Sequence, residues 1–350
     1  MSQKTNQLKA KRPTITEIAT QAGVSVPTVS RVLNDYPDVA PDTRARVEGI
    51  LRTSGFVRNR SKNTLRKKSI GIVELVLPDL FTTFYHVEIA RGIGEVLERT
   101  EFRLVISATG NSLQGERRWL TKVSPEATDG VLLVLPYNHN NELEVLHQRN
   151  IPFVVVDHHG DLDTDIPSVG ATNWTGGRTA TEYLLSLEHR RIAMISGHAD
   201  MRCSLDRIAG YQAALLSAGI TPNPAYIRQG DFSQQAGYEQ TCQLLDLPEP
   251  PTAIFAGCDM QAMGVYSALH ARGISIPDEM SVIGFDDLPI ASIVTPELTS
   301  IRQPLMEMGR VATTMLLRLL ENEPLDSMRM ELTTTLVTRQ SCARRASDNG

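Results

Sequence analysis

Seven short runs rich in Val, Ile and Leu, set between amphipathic helical stretches, constrain this chain more than any other feature. The runs are IGIVELVL (70–77), FRLVISA (102–108), GVLLVLP (130–136) and FVVVD (153–157), then RIAMIS (191–196), TAIFA (252–256) and MSVIGFD (280–286). Helical periodicity falls between them, for example over 86–99, 173–188, 205–218 and 259–272. Continuous apolar strands with crossover helices belong to parallel sheets covered on both faces. Two such series in succession predict an α/β body of two Rossmann-like lobes, with ligand in the crevice at the carboxyl ends of the strands.

A different pattern precedes them. Residues 14–24 read TITEIATQAGV, which predicts a short helix capped by Thr16, with Ile18, Ala19 and Ala22 on one face and Gly23 ending it. Ser25 then caps a second helix, VPTVSRVLN, with Pro27 in its first turn, where a missing N–H costs little. At 100° per residue, Val29, Val32 and Leu33 share one stripe, while Pro27, Arg31 and Asn34 lie opposite, flanked by Thr28 and Ser30. A third helix is expected in PDTRARVEGILRTSGF, with Val47, Ile50 and Leu51 facing inward. Two short helices joined at a Gly turn, the second presenting Arg and small hydroxyls, form an all-α helix-turn-helix headpiece. Arg31 can fork onto guanine O6 and N7, whereas Ser25, Thr28, Ser30 and Asn34 suit phosphate contacts.

Charge follows the same division. Residues 1–68 carry fourteen Lys and Arg against five Asp and Glu, or +9, so the net −5 of the chain leaves −14 for residues 69–350. A basic head on an acidic body directs only the head toward a polyanion. The polar start MSQKTNQLKAKRP and the lack of a long apolar run give no signal peptide or anchor, and a cytoplasmic location is expected. Cys203, Cys242, Cys258 and Cys342 are scattered without C-x-x-C spacing, so neither structural zinc nor a disulfide framework is expected, and no cofactor.

The segment TITEIATQAGVSVPTVSRVLN resembles the lactose/galactose-repressor family of bacterial regulators. That resemblance extends over the body through IGIVELVLPDLFTTFY, DGVLLVLP, EHRRIAMISG, RIAGYQAALLSAGI, PTAIFAGCDMQAMGV and MSVIGFDDLPIASIVTPELTSIRQP. It implies a periplasmic-binding-protein-like fold in which three strands cross between the lobes, near 167–171, 299–303 and 328–332. The implied division is a DNA-binding domain over 1–58, a hinge over 59–69, a sensor over 70–340 and a tail over 341–350. Within the sensor, the first lobe takes 70–167 and 303–328 and the second takes 168–302 and 329–340.

The resemblance also assigns residues. Val26 and Pro27 take the variable base-reading positions, Arg31 a third, and Thr14 joins the DNA contacts. Leu65 matches a hinge leucine that wedges into the minor groove. The hinge departs from the family in Arg58-Asn59 and in the Ala-poor Ser61-Lys62-Asn63-Thr64. In the cleft, Asp157 and Asp286 at strand ends accept hydroxyl hydrogen bonds, and Arg207, opening a helix, forks onto vicinal hydroxyls or a carboxylate. Phe232 offers a stacking face and Phe84 the opposite wall. Cys258 stands where the family commonly has Asn. A thiol is a poor substitute, so either the ligand lacks a hydroxyl there or Asp259 and Gln261 compensate.

The partners expected are operator DNA, a small-molecule effector of the sugar class and a second copy of the chain, without a membrane. A nucleobase or protein corepressor is the alternative, and an effector that releases DNA is the default over one that promotes binding. A solute-binding protein of the same fold fits poorly with the basic head. Asp157-His158-His159 imitates the start of a DHH phosphoesterase site, but no His-x-x-x-Asp or Asp-x-Asp set precedes it to complete a two-metal centre. Asp161, Asp163 and Asp165 imitate an EF-hand, but Ile166 and Thr172 occupy the positions that need Gly and Glu. No enzyme activity is expected. The ending RQSCARRASDNG has no leucine heptad, which predicts no tetramerising coiled coil.

Overall fold

The computed structural model describes residues 15–33, 39–53, 69–78, 84–110, 112–134, 140–157 and 162–345, and the chain divides into two units, Met1–Lys68 and Ser69–Gly350. Thr14, Asn34, Leu65, His158, His159 and Asp161 lie outside the described residues.

The first unit holds α1 (Ile15–Ala22), α2 (Val26–Leu33) and α3 (Pro41–Thr53). Its core is Ile18, Ala19, Ala22, Val29, Val32 and Val47, with Ile50 and Leu51 packed against it. Gly23 has φ +63°, the left-handed turn that ends α1. Helix α1 already includes Ile15, so Thr16 lies inside the first turn and is not its cap. The reason is positional: a cap must precede the first helical residue.

The second unit contains two six-stranded sheets. The first runs through β1 (Ile72–Leu77), α4 (Phe84–Leu97), β2 (Arg103–Ala108), α5 (Leu113–Lys122), β3 (Gly130–Val134), α6 (Asn140–Gln148), β4 (Phe153–Val156) and β5 (Ser168–Ala171). The second runs through α7 (Asn173–Ser186), β6 (Ile192–Ser196), α8 (Arg202–Ser217), β7 (Ile227–Gln229), α9 (Gln234–Leu245), β8 (Ala253–Ala256), α10 (Asp259–Ala271), β9 (Ser281–Asp286) and β10 (Thr299–Arg302). The chain then returns to the first lobe as α11 (Leu305–Leu320) and β11 (Arg329–Leu332), and ends its regular structure at β12 (Thr335–Val337) in the second sheet. Strand orders are β11-β5-β4-β3-β1-β2 and β12-β10-β9-β8-β6-β7. Every pairing is parallel except β10 with β12.

Each sheet is covered on both faces, as its Val/Ile/Leu composition requires. In the first lobe α4 and α11 bury one face through Ile89, Ile93, Met308 and Leu316, while Trp119 and Leu146 cover the other. Strand β2 departs from this pattern because it is an edge, and its Val105 and Ile106 remain exposed. The second sheet is covered by Val265 and Leu269 on one side and Leu184, Tyr211 and Leu215 on the other.

The segments 168–171 and 329–332 were expected in the second lobe, but as β5 and β11 they pair in register from Ser168–Arg329 to Ala171–Leu332 at the edge of the first sheet. Their backbone groups find partners there, which moves each change of sheet a few residues later. Just beyond the pair the two crossings are laced together. Thr172 Oγ1 and Thr334 Oγ1 lie 3.0 Å apart, and Thr334 N–H donates to Thr172 Oγ1.

No helix among the described residues is long and apolar enough to cross a membrane.

Candidate functional site

Two sets of residues carry the functional expectations, one in each unit. In the first unit α2 begins behind Ser25, whose Oγ accepts from Thr28 N–H at 3.3 Å and lies 2.8 Å from Thr28 Oγ1. This closes the helix start, so Ser25 and Thr28 are tied to each other as well as available to phosphate. Val29 and Val32 are buried against α1 and α3, which turns Val26, Pro27 and Arg31 outward. Val26 is 37% exposed, an apolar side chain that burial in this unit does not explain.

In the second unit the cleft is built from strand ends. Asp157 follows β4, and its N–H is held by Val169 O at 2.8 Å. Its carboxylate accepts from the Tyr85 hydroxyl at 2.7 Å, a contact from α4. Burial, and then Asp157 itself, push the Tyr85 hydroxyl well above its ordinary range, so it remains a donor.

Arg207 lies in the second turn of α8, which starts at Arg202 rather than at 205. Helices α7 and α8 touch backbone to backbone: a Cβ on Gly177 would stand 2.4 Å from Arg207 O. That approach, possible only without a side chain, brings Arg207 Nε to Asn173 Oδ1 at 2.8 Å. Nη1 donates to Gly257 O at 2.6 Å, and the guanidinium carbon lies 3.8 Å from the Phe285 ring centroid. Its Nη2 is 3.9 Å from Asp286 Oδ1, an ion pair beyond hydrogen-bond length. Asp286, at the end of β9, takes its direct bond from Gln303 Nε2 at 2.6 Å. Burial raises the Asp286 carboxyl to about 6, against the pull of Arg207 and Gln303.

Phe232 packs against Gly197, where a Cβ would meet its ring at 2.0 Å, and its centroid is 5.7 Å from the Arg207 guanidinium carbon. Asp157, Phe232, Asp286 and Asp287 all have φ between +53° and +104°. Such left-handed residues cost about 1–3 kcal/mol each and persist where the surroundings fix them, commonly at binding sites.

The structure thus brings together Asp157, Arg207, Phe232, Cys258 and Asp286, together with Tyr85, Asn173 and Gln303, which the sequence reading did not single out. Phe84, assigned to the opposite wall, begins α4 and is 51% exposed; the ring that meets Asp157 is the next one, Tyr85. Cys258 is the N-cap of α10, with Sγ accepting from Gln261 N–H at 3.4 Å and donating to Phe232 O at 3.3 Å. Asp259 and Gln261 do not replace a missing Asn. Asp259 accepts from Leu288 N–H and Ser300 Oγ, both at 2.6 Å, and Gln261 Nε2 donates to Ser196 O at 2.9 Å. Both side chains are fully buried within the lobe, with Gln261 Oε1 left without a partner among the described residues. Among the described residues no group of three His, Cys, Asp or Glu is placed to hold a metal.

Comparisons with known proteins agree with this organisation. Residues 14–59 match bacterial regulatory proteins of the lacI family, and residues 181–342 match a periplasmic binding protein-like domain. The chain is 32% identical to the HTH-type transcriptional repressor CytR of Escherichia coli K12, across 95% of this chain and 98% of that protein. It is also 32% identical to the HTH-type transcriptional regulator CelR of Thermobifida fusca, over 95% and 99% of the two chains. Among solved structures, a CelR–cellobiose complex superposes with TM-score 0.74 at 32% identity, covering 94% of this chain and all of that one. The lac repressor dimer bound to operator and an anti-inducer superposes with TM-score 0.72 at 26% identity, covering 95% and 100%. A helix-turn-helix with an outward Arg31, joined to a two-lobed body and matched along nearly its whole length, places the chain in the lacI family of bacterial transcriptional regulators.

Proposed function

We propose that this DNA-binding transcriptional regulator represses carbohydrate-use genes as a homodimer, and that a hydroxyl-rich small molecule, a sugar, in the cleft sets its affinity for the operator. The observation that carries the cleft reading is that Arg207 and Asp286 of one lobe lie 3.9 Å apart while Asp157 of the other is near enough to raise the proton affinity of both, a set that can form charge-assisted bonds to hydroxyls. Phe232 supplies an apolar face beside them. The DNA reading rests on Val26, Pro27 and Arg31, with Ser25, Thr28, Ser30 and Asn34 on phosphates and Thr14 and Leu65 assigned by family resemblance.

Binding rather than catalysis suits the groups present. Burial keeps the Cys258 thiol well above its ordinary range and raises Cys203 to about 12, so neither supplies a thiolate nucleophile. Asn173 and Gly257 hold Nε and Nη1 of Arg207 and Gln303 holds Oδ1 of Asp286, which positions both groups and leaves Arg207 Nη2 and Asp286 Oδ2 to a ligand.

The test is to select the operator from random duplexes with the purified chain and then titrate sugars into the complex by fluorescence anisotropy. A sequence-specific site whose occupancy changes with one sugar at sub-millimolar concentration is expected. Binding without sequence preference, or a preferred site that no sugar affects, would overturn the corresponding half of the reading.

A further inference from the structure

We propose that the cleft selects its effector by charge, taking an uncharged, hydroxyl-rich molecule and turning away the phosphorylated or carboxylated form of the same skeleton. This rests on the cleft being the effector site. Among the described residues, the charged side chains shown to converge there are two carboxylates and one guanidinium, Asp157, Asp286 and Arg207. Two of the guanidinium's three nitrogens are already committed. Nε and Nη1 serve Asn173 and Gly257, the guanidinium carbon lies close to the Phe285 ring, and Nη2 faces Asp286. An incoming anion would have to draw Arg207 away from Asp286, leaving a buried carboxylate without its counter-charge.

With Arg207 and Asp286 balancing each other, Asp157 remains, and its direct partner is an uncharged hydroxyl. Gln303 touches this set directly. Gln303 donates its Nε2 to Asp286 while its buried Oε1 has no partner among the described residues. Hydroxyls can answer such acceptors with protons, whereas phosphate and carboxylate oxygens cannot.

One feature pulls the other way. The N-terminus of α10 lies beside Phe232, and helix N-termini favour anions. Its strength is roughly half an elementary charge, less than that of one carboxylate. It is also answered from within, because Cys258 Sγ takes the Gln261 N–H and Asp259 sits in the first turn. Asp286 is buried and Asp157 partly so, and salt screens them less than it screens surface charges.

The experiment uses the full chain and calorimetry with matched sets: glucose, gluconate and glucose 6-phosphate; cellobiose and cellobionate; ribose and ribose 5-phosphate; adenosine and its monophosphate. In whichever set binds, the uncharged member should be at least ~30-fold tighter than its anionic counterpart. Asp157→Asn, which can still accept from Tyr85, should narrow that gap by strengthening the anion. An anion that binds as tightly as its neutral partner, or an unchanged gap in Asp157→Asn, overturns charge selection while leaving the effector site standing. Heat from no member of any set overturns the effector reading itself, and this inference with it.

Discussion

The carboxylate of Asp129, immediately before β3, accepts the N–H of Gly71 at 2.6 Å, and it also accepts those of Ile70 at 3.0 Å and Ile72 at 2.9 Å. Three consecutive donors on one acidic side chain fix the point at which the segment from the basic unit enters the first sheet. Asp129→Ala should lower sensor stability by about 1–3 kcal/mol, because these donors lose a charged acceptor. Urea unfolding checks this. Operator affinity should fall as well, while effector affinity measured by calorimetry stays within about twofold. A loss confined to effector affinity would contradict the assignment.

Arg31→Ala should cost about 1–3 kcal/mol on the selected operator and little on random DNA. Both affinities should fall steeply with salt, since the +9 head displaces counterions from phosphates. Equal losses on both DNAs would make Arg31 a phosphate contact only.

Asp286→Asn and Tyr85→Phe should each weaken effector binding by at least ~10-fold, from charge-assisted bonds worth about 1.5–3 kcal/mol. Operator affinity without effector should be nearly unchanged. Wild-type effector affinity in both variants would remove the cleft from the mechanism.

The pH dependence has a defined sign. Burial raises the folded Asp286 carboxyl to about 6 from an ordinary 3.8, so the folded state binds this proton more tightly than the unfolded state does. Its ionisation therefore destabilises the unliganded sensor above about pH 6, and that cost is relieved as pH falls from 6 toward 3.8. His189, buried between Thr252 and Ser281, acts in the opposite direction: desolvation lowers it below its ordinary 6.5, so acid favours unfolding through this group. The measurement is consequently a difference. Between pH 7.5 and 5.5, wild type should gain stability relative to Asp286→Asn in thermal melts, and a constant difference would contradict the buried, ionised carboxyl.

Leu65→Ala should weaken operator binding and leave effector binding intact if the hinge enters the minor groove. Anisotropy and calorimetry on the same preparation separate the two.

The apolar runs revealed both sheets, because a strand buried on two faces must be apolar throughout, as β3, β4 and β8 are. The exposure of β2 was not visible, since its edge position depends on strand order and its composition resembles that of a central strand. Asp157, Arg207 and Asp286 were legible from strand ends and motif resemblance. Tyr85 was not, because one residue of helical phase decides whether Phe84 or Tyr85 turns toward β4. Gln303 lay in the quoted IRQP segment, but its partner Asp286 precedes it by seventeen residues and only the β9–β10 pairing reveals the contact. Asp259 looked like an available hydrogen-bonding group, whereas Leu288 and Ser300 had already claimed it.

The Thr172–Thr334 lacing has a mechanical corollary. Two connectors free to move separately would let the lobes tilt in several directions. Joined edge to edge through β5 and β11 and then stitched at their exits, these two act as a single ribbon, which resists bending across its width and yields most easily to torsion. The third connector, after β10, runs elsewhere into α11 and provides a second support. A ribbon and a separate strut leave the lobes fewer ways to tilt than three independent connectors would.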